Sequence, residues 1–163
     1  MNEELEWEYA DTVVSETKVK EVGLQLGFQL PHDYIECVKQ FGGASVFPEE
    51  FNVEGVERCF GSLFSFDENS SEHIIKNYNI YKTSIPKNVL PIADDPAGNL
   101  ICLDYKDSTH TPKVVFWEHE NAADKEMLMK EENLTEIQVE ERVRENIFFI
   151  SDTFSGFLNK LHD

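Results

Sequence analysis

The strongest constraint on the fold is the stretch from Asn88 to Tyr105, which reads NVLPIADDPAGNLICLDY. Two apolar runs, residues 89–93 and 100–105, flank a turn that contains adjacent aspartates, a proline, a glycine and an asparagine. A third apolar run, residues 113–118, follows after the turn-forming segment KDSTHTP. Short apolar runs separated by turn residues are typical of β-strands. The stretch therefore predicts three strands of an antiparallel meander.

Helical patterns surround this predicted meander. Apolar residues recur at helical intervals in four segments, residues 15–26, 31–43, 69–82 and 151–161. Ser15 and Ser151 are the expected N-caps of the first and last helices, and Ser70 or Ser71 that of the third. Short strands are predicted between the second and third helices and directly before the last one. This order predicts an α+β domain, with an antiparallel sheet and helices packed on one side.

One domain is expected to comprise the whole chain, residues 1–163, because this length suits a single hydrophobic core and no linker divides it. Two segments differ from the rest in composition. Residues 1–14 read as an acidic N-terminal tail, and residues 119–145 as a strongly charged excursion in which glutamate dominates. We expect this excursion to be exposed and partly helical.

The charge of the chain limits its partners. Its 32 acidic and 14 basic residues give a formal net charge of -18, which repels nucleic acid and anionic membranes. Such a charge suits a basic protein partner, or serves solubility alone. The acidic start differs from a signal peptide, and no apolar run approaches the roughly 20 residues that span a bilayer. With three cysteines in apolar surroundings, which read as reduced core thiols, a cytoplasmic location is expected.

The adjacent Asp94 and Asp95 raise the question of catalysis. Paired carboxylates act as acid and base when burial and mutual repulsion separate their pKa values, which requires both in one dry pocket. Neighbouring side chains in an extended turn point apart instead, and Pro96 and Gly98 favour an exposed tip. A structural role, in which an aspartate accepts backbone hydrogen bonds, is therefore favoured over catalysis. Contact with a basic partner is the second interpretation, and Asn99 is expected to complete the turn.

The sequence predicts no metal site and no cofactor. DDPAGN lacks the alternating oxygen ligands of a calcium loop, and the consecutive Glu118, His119 and Glu120 cannot all converge on one ion from a strand. The chain also lacks a GxSxG nucleophile elbow and a phosphate-binding loop. No catalytic residue is assigned on these grounds.

Four blocks of the sequence resemble a known family. LPHDYIECVKQFGG, NVLPIADDPAGNLICLDY, KVVFWEHE and SDTFSGFLNKL are similar, in this order, to signature segments of the SUKH superfamily. The superfamily includes the yeast cell-wall synthesis regulators and many bacterial relatives. The resemblance covers most of residues 15–163 and leaves the N-terminal tail and residues 119–145 outside it. Many members read Asn-Gly-Gly where this chain has Phe41 before Gly42 and Gly43, a departure at a helix terminus.

This resemblance implies an α+β fold and a binding role without catalysis. Bacterial members are typically immunity proteins, which bind and neutralise a toxin that is often a nuclease. We therefore expect a cytoplasmic immunity protein that docks an acidic face on a basic cognate toxin. Phe116 and Trp117 must face opposite ways on their strand, so one is expected in the core and the other as an interface anchor. The candidate contact residues are Asp94, Asp95, Asn99, Trp117, Glu118 and Glu120.

Two other functions remain open from the sequence. One is a regulatory scaffold of the yeast type, for which long disordered extensions are expected. The other is a small hydrolase that uses Asp94, Asp95 or Asp104, which predicts a pocket with raised carboxylate pKa values.

Overall fold

Helices and short strands alternate along the chain. The computed structural model describes residues 5–163. The strands are β1 (Glu6–Glu8), β2 (Ser45–Phe47), β3 (Glu50–Val53), β4 (Val56–Cys59), β5 (Val89–Asp94), β6 (Leu100–Asp104), β7 (Lys113–Trp117) and β8 (Ile147–Ser151). The helices are α1 (Glu16–Leu26), α2 (His32–Phe41), α3 (Ile74–Tyr81), α4 (Lys125–Glu131), α5 (Glu136–Arg144) and α6 (Phe154–Leu158).

A four-stranded antiparallel meander, in the order β5-β6-β7-β8, is the largest sheet within residues 5–163. Two smaller antiparallel pairs, β1-β2 and β3-β4, lie outside it. Strands β5 and β6 are buried along almost their whole length, with partial exposure only at their terminal aspartates. The predicted α+β class and antiparallel meander are confirmed.

Helices cover both faces of the meander, which corrects the expectation that they pack on one side. Phe116 and Trp117 point to opposite faces because they are consecutive in β7. The Trp117 ring contacts Tyr81 of α3 at 5.9 Å between ring centroids. On the other face, Phe116 contacts Phe51 of β3, which in turn packs against Phe157 of α6. The sequence did not predict helices on the second face, because strands that are covered on both faces lack the alternation of apolar and polar residues that marks an exposed face.

The α1–α2 pair forms as its sequence predicts. The Ser15 hydroxyl accepts a hydrogen bond from the Lys18 backbone N–H at 3.1 Å and caps α1. Gly27 ends this helix with a φ of +87°, a left-handed conformation that favours glycine. Asp33 in the first turn of α2 accepts hydrogen bonds from the backbone N–H and the hydroxyl of Ser155, and this ties α2 to α6.

Part of the expected N-terminal tail belongs to the fold. Strand β1 pairs with β2, with Trp7 opposite Val46. The indole of Trp7 stacks on the ring of Phe41 at 5.1 Å between centroids. Trp7 therefore packs back onto the domain. Residues 1–4 of the expected tail lie outside the described residues.

The N-cap of α3 differs from the prediction. His73 occupies the cap position without a side-chain hydrogen bond, whereas Ser70 and Ser71 lie further upstream. The Ser70 hydroxyl instead donates to the Asp11 carboxylate and accepts from the Glu72 backbone N–H at 3.0 Å. Ser70 thus fixes the loop before α3 rather than the helix itself.

Residues 119–145 contain two helices and a small apolar cluster of their own. Leu128 of α4 packs against Val139 and Val143 of α5, apart from the main core. Asp124 caps α4, and Thr135 with Gln138 forms a capping box at the start of α5. The partly helical character predicted for this segment is confirmed.

Strand β8 lies at an edge of the meander. Within residues 5–163 it pairs only with β7. Lys160, which follows α6, donates from its ammonium group to the carbonyl oxygen of Ile150 in this strand. The same ammonium lies 5.7 Å from the centroid of the half-exposed Phe149 ring. A charged side chain thus occupies the otherwise open strand edge.

Among the described residues, no helix combines the length and the apolar character that a membrane crossing requires.

Candidate partner-binding surface

The acidic turn between β5 and β6 is held together by Asp95. One carboxylate oxygen, Oδ1, accepts hydrogen bonds from the backbone N–H groups of Ala97 at 2.9 Å and Asn99 at 2.7 Å. The other, Oδ2, accepts from the Asn99 side-chain amide at 3.0 Å. Both residues are buried, and the exposed tip consists of residues 96–98. Asp95 and Asn99 therefore face inwards, which corrects their assignment as contact residues.

Asp94 binds a different segment. Its Oδ1 accepts a hydrogen bond from the Ser62 backbone N–H at 2.8 Å, and its backbone carbonyl accepts from Gly61 at 2.9 Å. Burial raises the pKa of the Asp94 carboxyl above its ordinary value, the Ser62 hydrogen bond opposes this shift, and the neighbouring Asp95 adds to it. The two carboxylates thus serve separate loops, which is the structural role that the turn composition favours.

Trp117 is buried and is not an exposed interface anchor. Its side chain faces Tyr81 while Phe116 fills the opposite face, so both aromatic residues of this strand belong to the core. The hypothesis of an anchor assumed that one face of β7 was open to solvent. Because both faces of β7 are covered, neither Phe116 nor Trp117 is exposed to a partner.

Glu118 is an internal ion-pair partner. Its carboxylate binds the guanidinium of Arg58 at 2.6 Å, and that guanidinium lies 4.9 Å from the centroid of the Phe116 ring. Only 14% of the Glu118 side chain is exposed. Glu120, two residues further on, is exposed. Of the six candidate contact residues, Glu120 is therefore the one with a freely accessible side chain, and Asp94 is partly accessible.

Exposed acidic side chains concentrate on α4, α5 and their flanking turns, which we call the α4–α5 surface. Within residues 118–145 the sequence has ten acidic and four basic residues. Three of the basic residues bind carboxylates: Lys125 pairs with Glu140 at 2.8 Å, Arg142 with Glu132 at 3.0 Å, and Arg144 with Asp104. Five exposed carboxylates have no salt-bridge partner within the described residues, namely Glu120, Glu126, Glu131, Glu136 and Glu141.

Two contacts, one partly buried and one at the surface, join this surface to strand β6 and to the loop before β5. Arg144 of α5 binds both oxygens of Asp104 in β6, at 2.8 and 2.9 Å. This hydrogen-bonded pairing raises the pKa of the Arg144 guanidinium. Glu140 accepts hydrogen bonds from the Lys125 ammonium and the Lys87 backbone N–H; these bonds outweigh the effect of burial and lower its pKa. The surface is therefore held rigidly in place.

Apolar side chains lie among these carboxylates. Ile137 is 74% exposed, Met127 53% and Met129 40%. Ile137 and Met129 border a depression of about 640 Å³ between α5 and the loop before β5. Exposed apolar groups within a polar rim are typical of protein interfaces, and methionine adapts readily to a partner. Sequence analysis missed these residues because their exposure depends on how α4 and α5 pack.

The described part of the chain contains no group of three or more His, Cys, Asp or Glu side chains placed to hold a metal ion.

Comparison with known proteins relates the chain to one family. The family model described as SMI1 / KNR4 family (SUKH-1) matches residues 13–160. The match runs through residues 119–145, a segment that we expected to lie outside the resemblance. The SPbeta prophage-derived uncharacterized protein YokK of Bacillus subtilis (strain 168) is 27% identical over 121 residues. This alignment covers 63% of the chain and 61% of YokK, so the chain spans less than two thirds of that relative.

Proposed function

Because the chain belongs to the SMI1/KNR4 family (SUKH-1), we propose that it is an immunity protein, which neutralises a cognate protein toxin by binding it. Family membership also confirms the resemblance predicted from the four sequence blocks. In this proposal the protein acts in the cytoplasm, forms a stoichiometric complex with the toxin and catalyses no reaction. Its relative YokK is prophage-derived. A prophage is a mobile genetic element, and such an origin is compatible with a protein that protects against a toxin. The origin of this relative therefore supports the proposal.

The observation that carries the proposal is the α4–α5 surface. It presents five carboxylates that are not neutralised within the described residues. Two of them, Glu136 and Glu141, line the depression that the exposed Ile137 and Met129 border, together with the basic residues Lys87, Lys106, Lys125 and Arg144. Carboxylates attract a basic toxin domain and speed its encounter, whereas the apolar groups contribute affinity once the complex has formed. A nuclease is the favoured class of toxin because its nucleic-acid site must be basic. By covering that site, the acidic surface would exclude the substrate.

The test is a binding measurement with the C-terminal domain of the toxin encoded beside the gene. We expect a one-to-one complex, an association rate that falls as salt is added, and survival of cells that make both proteins. The absence of a complex together with the absence of protection would overturn the proposal.

The same measurement locates the contact surface. Reversing the charges of Glu126, Glu131 and Glu136 to lysine is expected to slow association at low salt at least about tenfold. A matched triple reversal at Glu21, Glu54 and Asp163, which are exposed outside the α4–α5 surface, changes net charge equally. If both variants slow association to the same extent, net charge rather than this surface determines binding.

A further inference from the structure

We propose that two copies of this chain associate through a groove beside α1 and α2, separate from the α4–α5 surface. The α1–α2 groove has a volume of about 540 Å³ and lies between the C-terminal end of α1, the start of α2 and the loop between β6 and β7. Its lining consists of Lys20, Leu24, Phe28, Gln29, Leu30, Pro31, His32, Ile35 and His110.

The groove combines a projecting apolar side chain with an apolar hollow. Leu24 is 78% exposed on the last turn of α1, whereas Leu30 and Ile35 are buried beneath the groove. A single exposed leucine is common on protein surfaces, but this one borders a hollow of its own molecule. In the proposed dimer, a two-fold axis at this edge would place Leu24 of each copy in the groove of the other. Such self-complementarity is the requirement for a symmetric dimer.

The charge of the groove favours a second copy as its occupant. No carboxylate is among the groove's lining residues, although the chain carries a net charge of -18. Lys20, the one lysine of the lining, is already paired with Glu16 at 3.1 Å, and the remaining polar residues are Gln29 and two histidines. Two copies of so acidic a protein repel each other in most orientations. Contact through the groove brings together two linings without carboxylates, and the glutamates at its rim, Glu16 and Glu36, lie beside Lys20 and His32 of the lining.

The size of the groove indicates a weak dimer. Its nine lining residues are fewer than the roughly 20–30 residues that a stable interface contributes from each side. Because added salt screens the repulsion between copies, we expect it to strengthen the dimer. The proposed toxin complex is expected to respond in the opposite direction, so the two associations are distinguishable.

Sedimentation velocity of the full chain, at concentrations up to about 1 mM, tests the proposal. We expect a monomer–dimer equilibrium that shifts towards dimer when NaCl rises from about 0.05 to about 0.5 M. Leu24→Glu is expected to weaken the dimer at least about a hundredfold, because each copy loses the burial of one leucine. Ile137→Glu is the matched control: it adds the same charge at a residue that is 74% exposed on the α4–α5 surface, and leaves the dimer unchanged.

Three results would overturn the proposal. The first is a monomer at every concentration and salt. The second is a dimer that Leu24→Glu leaves intact or that Ile137→Glu weakens equally. The third is a toxin complex that Leu24→Glu disrupts, which would make the toxin the occupant of the groove. Far-UV circular dichroism of both variants distinguishes a lost contact from a lost fold.

Discussion

The two neighbouring aspartates of the β5–β6 turn have separate structural tasks. Asp95 closes the turn through Ala97 and Asn99, and the Asn99 side-chain oxygen accepts the His119 backbone N–H at 2.9 Å. A short chain of hydrogen bonds thus joins the turn to the residues that follow β7. Buried carboxylates that satisfy backbone donors in this way stabilise a fold, and their loss leaves those donors unpaired.

Removing the Asp95 carboxylate is expected to destabilise the protein. Asp95→Ala leaves the backbone N–H groups of Ala97 and Asn99 without their acceptor, which costs about 2–4 kcal/mol of unfolding free energy. Urea denaturation measures this change. Asp152→Ala, at an exposed position, is the control and is expected to have an effect within about 0.5 kcal/mol. Equal stabilities of the two variants would contradict the assigned role.

Asp94 is expected to make stability depend on pH. Its pKa is raised in the folded state, so the folded protein favours the protonated carboxyl. The stability gained from this preference is complete below the unfolded pKa, near 3.8, and is lost as pH rises through the folded value. Asp94→Asn keeps an oxygen acceptor for Ser62 and does not ionise. Urea denaturation is therefore expected to show the variant gaining stability relative to the parent between about pH 4 and pH 7, and a constant difference would disprove this account.

At the scale of single elements, one partly buried contact joins α5 directly to a strand of the meander. The two hydrogen bonds from Arg144 to Asp104 join α5 to β6, across 40 residues of sequence. Only 21% of the Arg144 side chain and 12% of the Asp104 side chain are exposed. Truncating the arginine leaves a largely buried carboxylate without its partner, a change that generally costs more than the pair itself contributes.

Arg144→Ala is therefore expected to release α5 while the meander persists. We expect a loss of about 1–3 kcal/mol, reduced from the fully buried case because solvent reaches both groups. Hydrogen exchange is expected to accelerate in α4 and α5 and to stay slow in β5–β7. Arg142→Ala on the same helix removes a pair that is about half exposed and is expected to have little effect. Similar exchange in the two variants would show that Arg144 does not secure the helix.

Sequence patterns predicted the elements that local rules determine. The cap at Ser15, the end at Gly27 and the meander strands follow from residue type and spacing. The exact extent of α4 and α5 does not follow from residue type and spacing. Their apolar cluster is small, and their attachment depends on ion pairs between residues that are distant in sequence. The cap of α3 was wrong for a related reason, since Ser70 is engaged by the distant Asp11.

At the scale of the whole molecule, the excess of negative charge dominates. A net charge of -18 on 163 residues produces repulsion throughout the folded state. Raising NaCl from about 0.02 to about 0.2 M is expected to increase the melting temperature of the free protein, because screening weakens this repulsion. Differential scanning calorimetry measures the shift. A decrease would show that attractive ion pairs such as Arg58–Glu118 outweigh the overall repulsion.

The sequence predicted the family and the sign of the surface charge, but located the candidate surface only partly. Residues 119–145 were correctly expected to be exposed and charged, and Glu120 lies there. Asp95, Asn99 and Trp117 are buried, since turn closure and the second covered face of the meander are three-dimensional properties. The residue type of a polar or aromatic side chain at a hairpin is the same whether the side chain is buried in the fold or exposed to a partner.

Lys160 at the open edge of β8 bears on how this protein behaves when abundant. The immunity role proposed above would require the protein to be present before its toxin arrives, and therefore to accumulate without its partner. Exposed strand edges can pair with neighbouring molecules and lead to aggregation, and Lys160 hinders this pairing because it binds the Ile150 carbonyl oxygen and lies near Phe149. We therefore expect the Lys160 side chain to limit aggregation of the unbound protein.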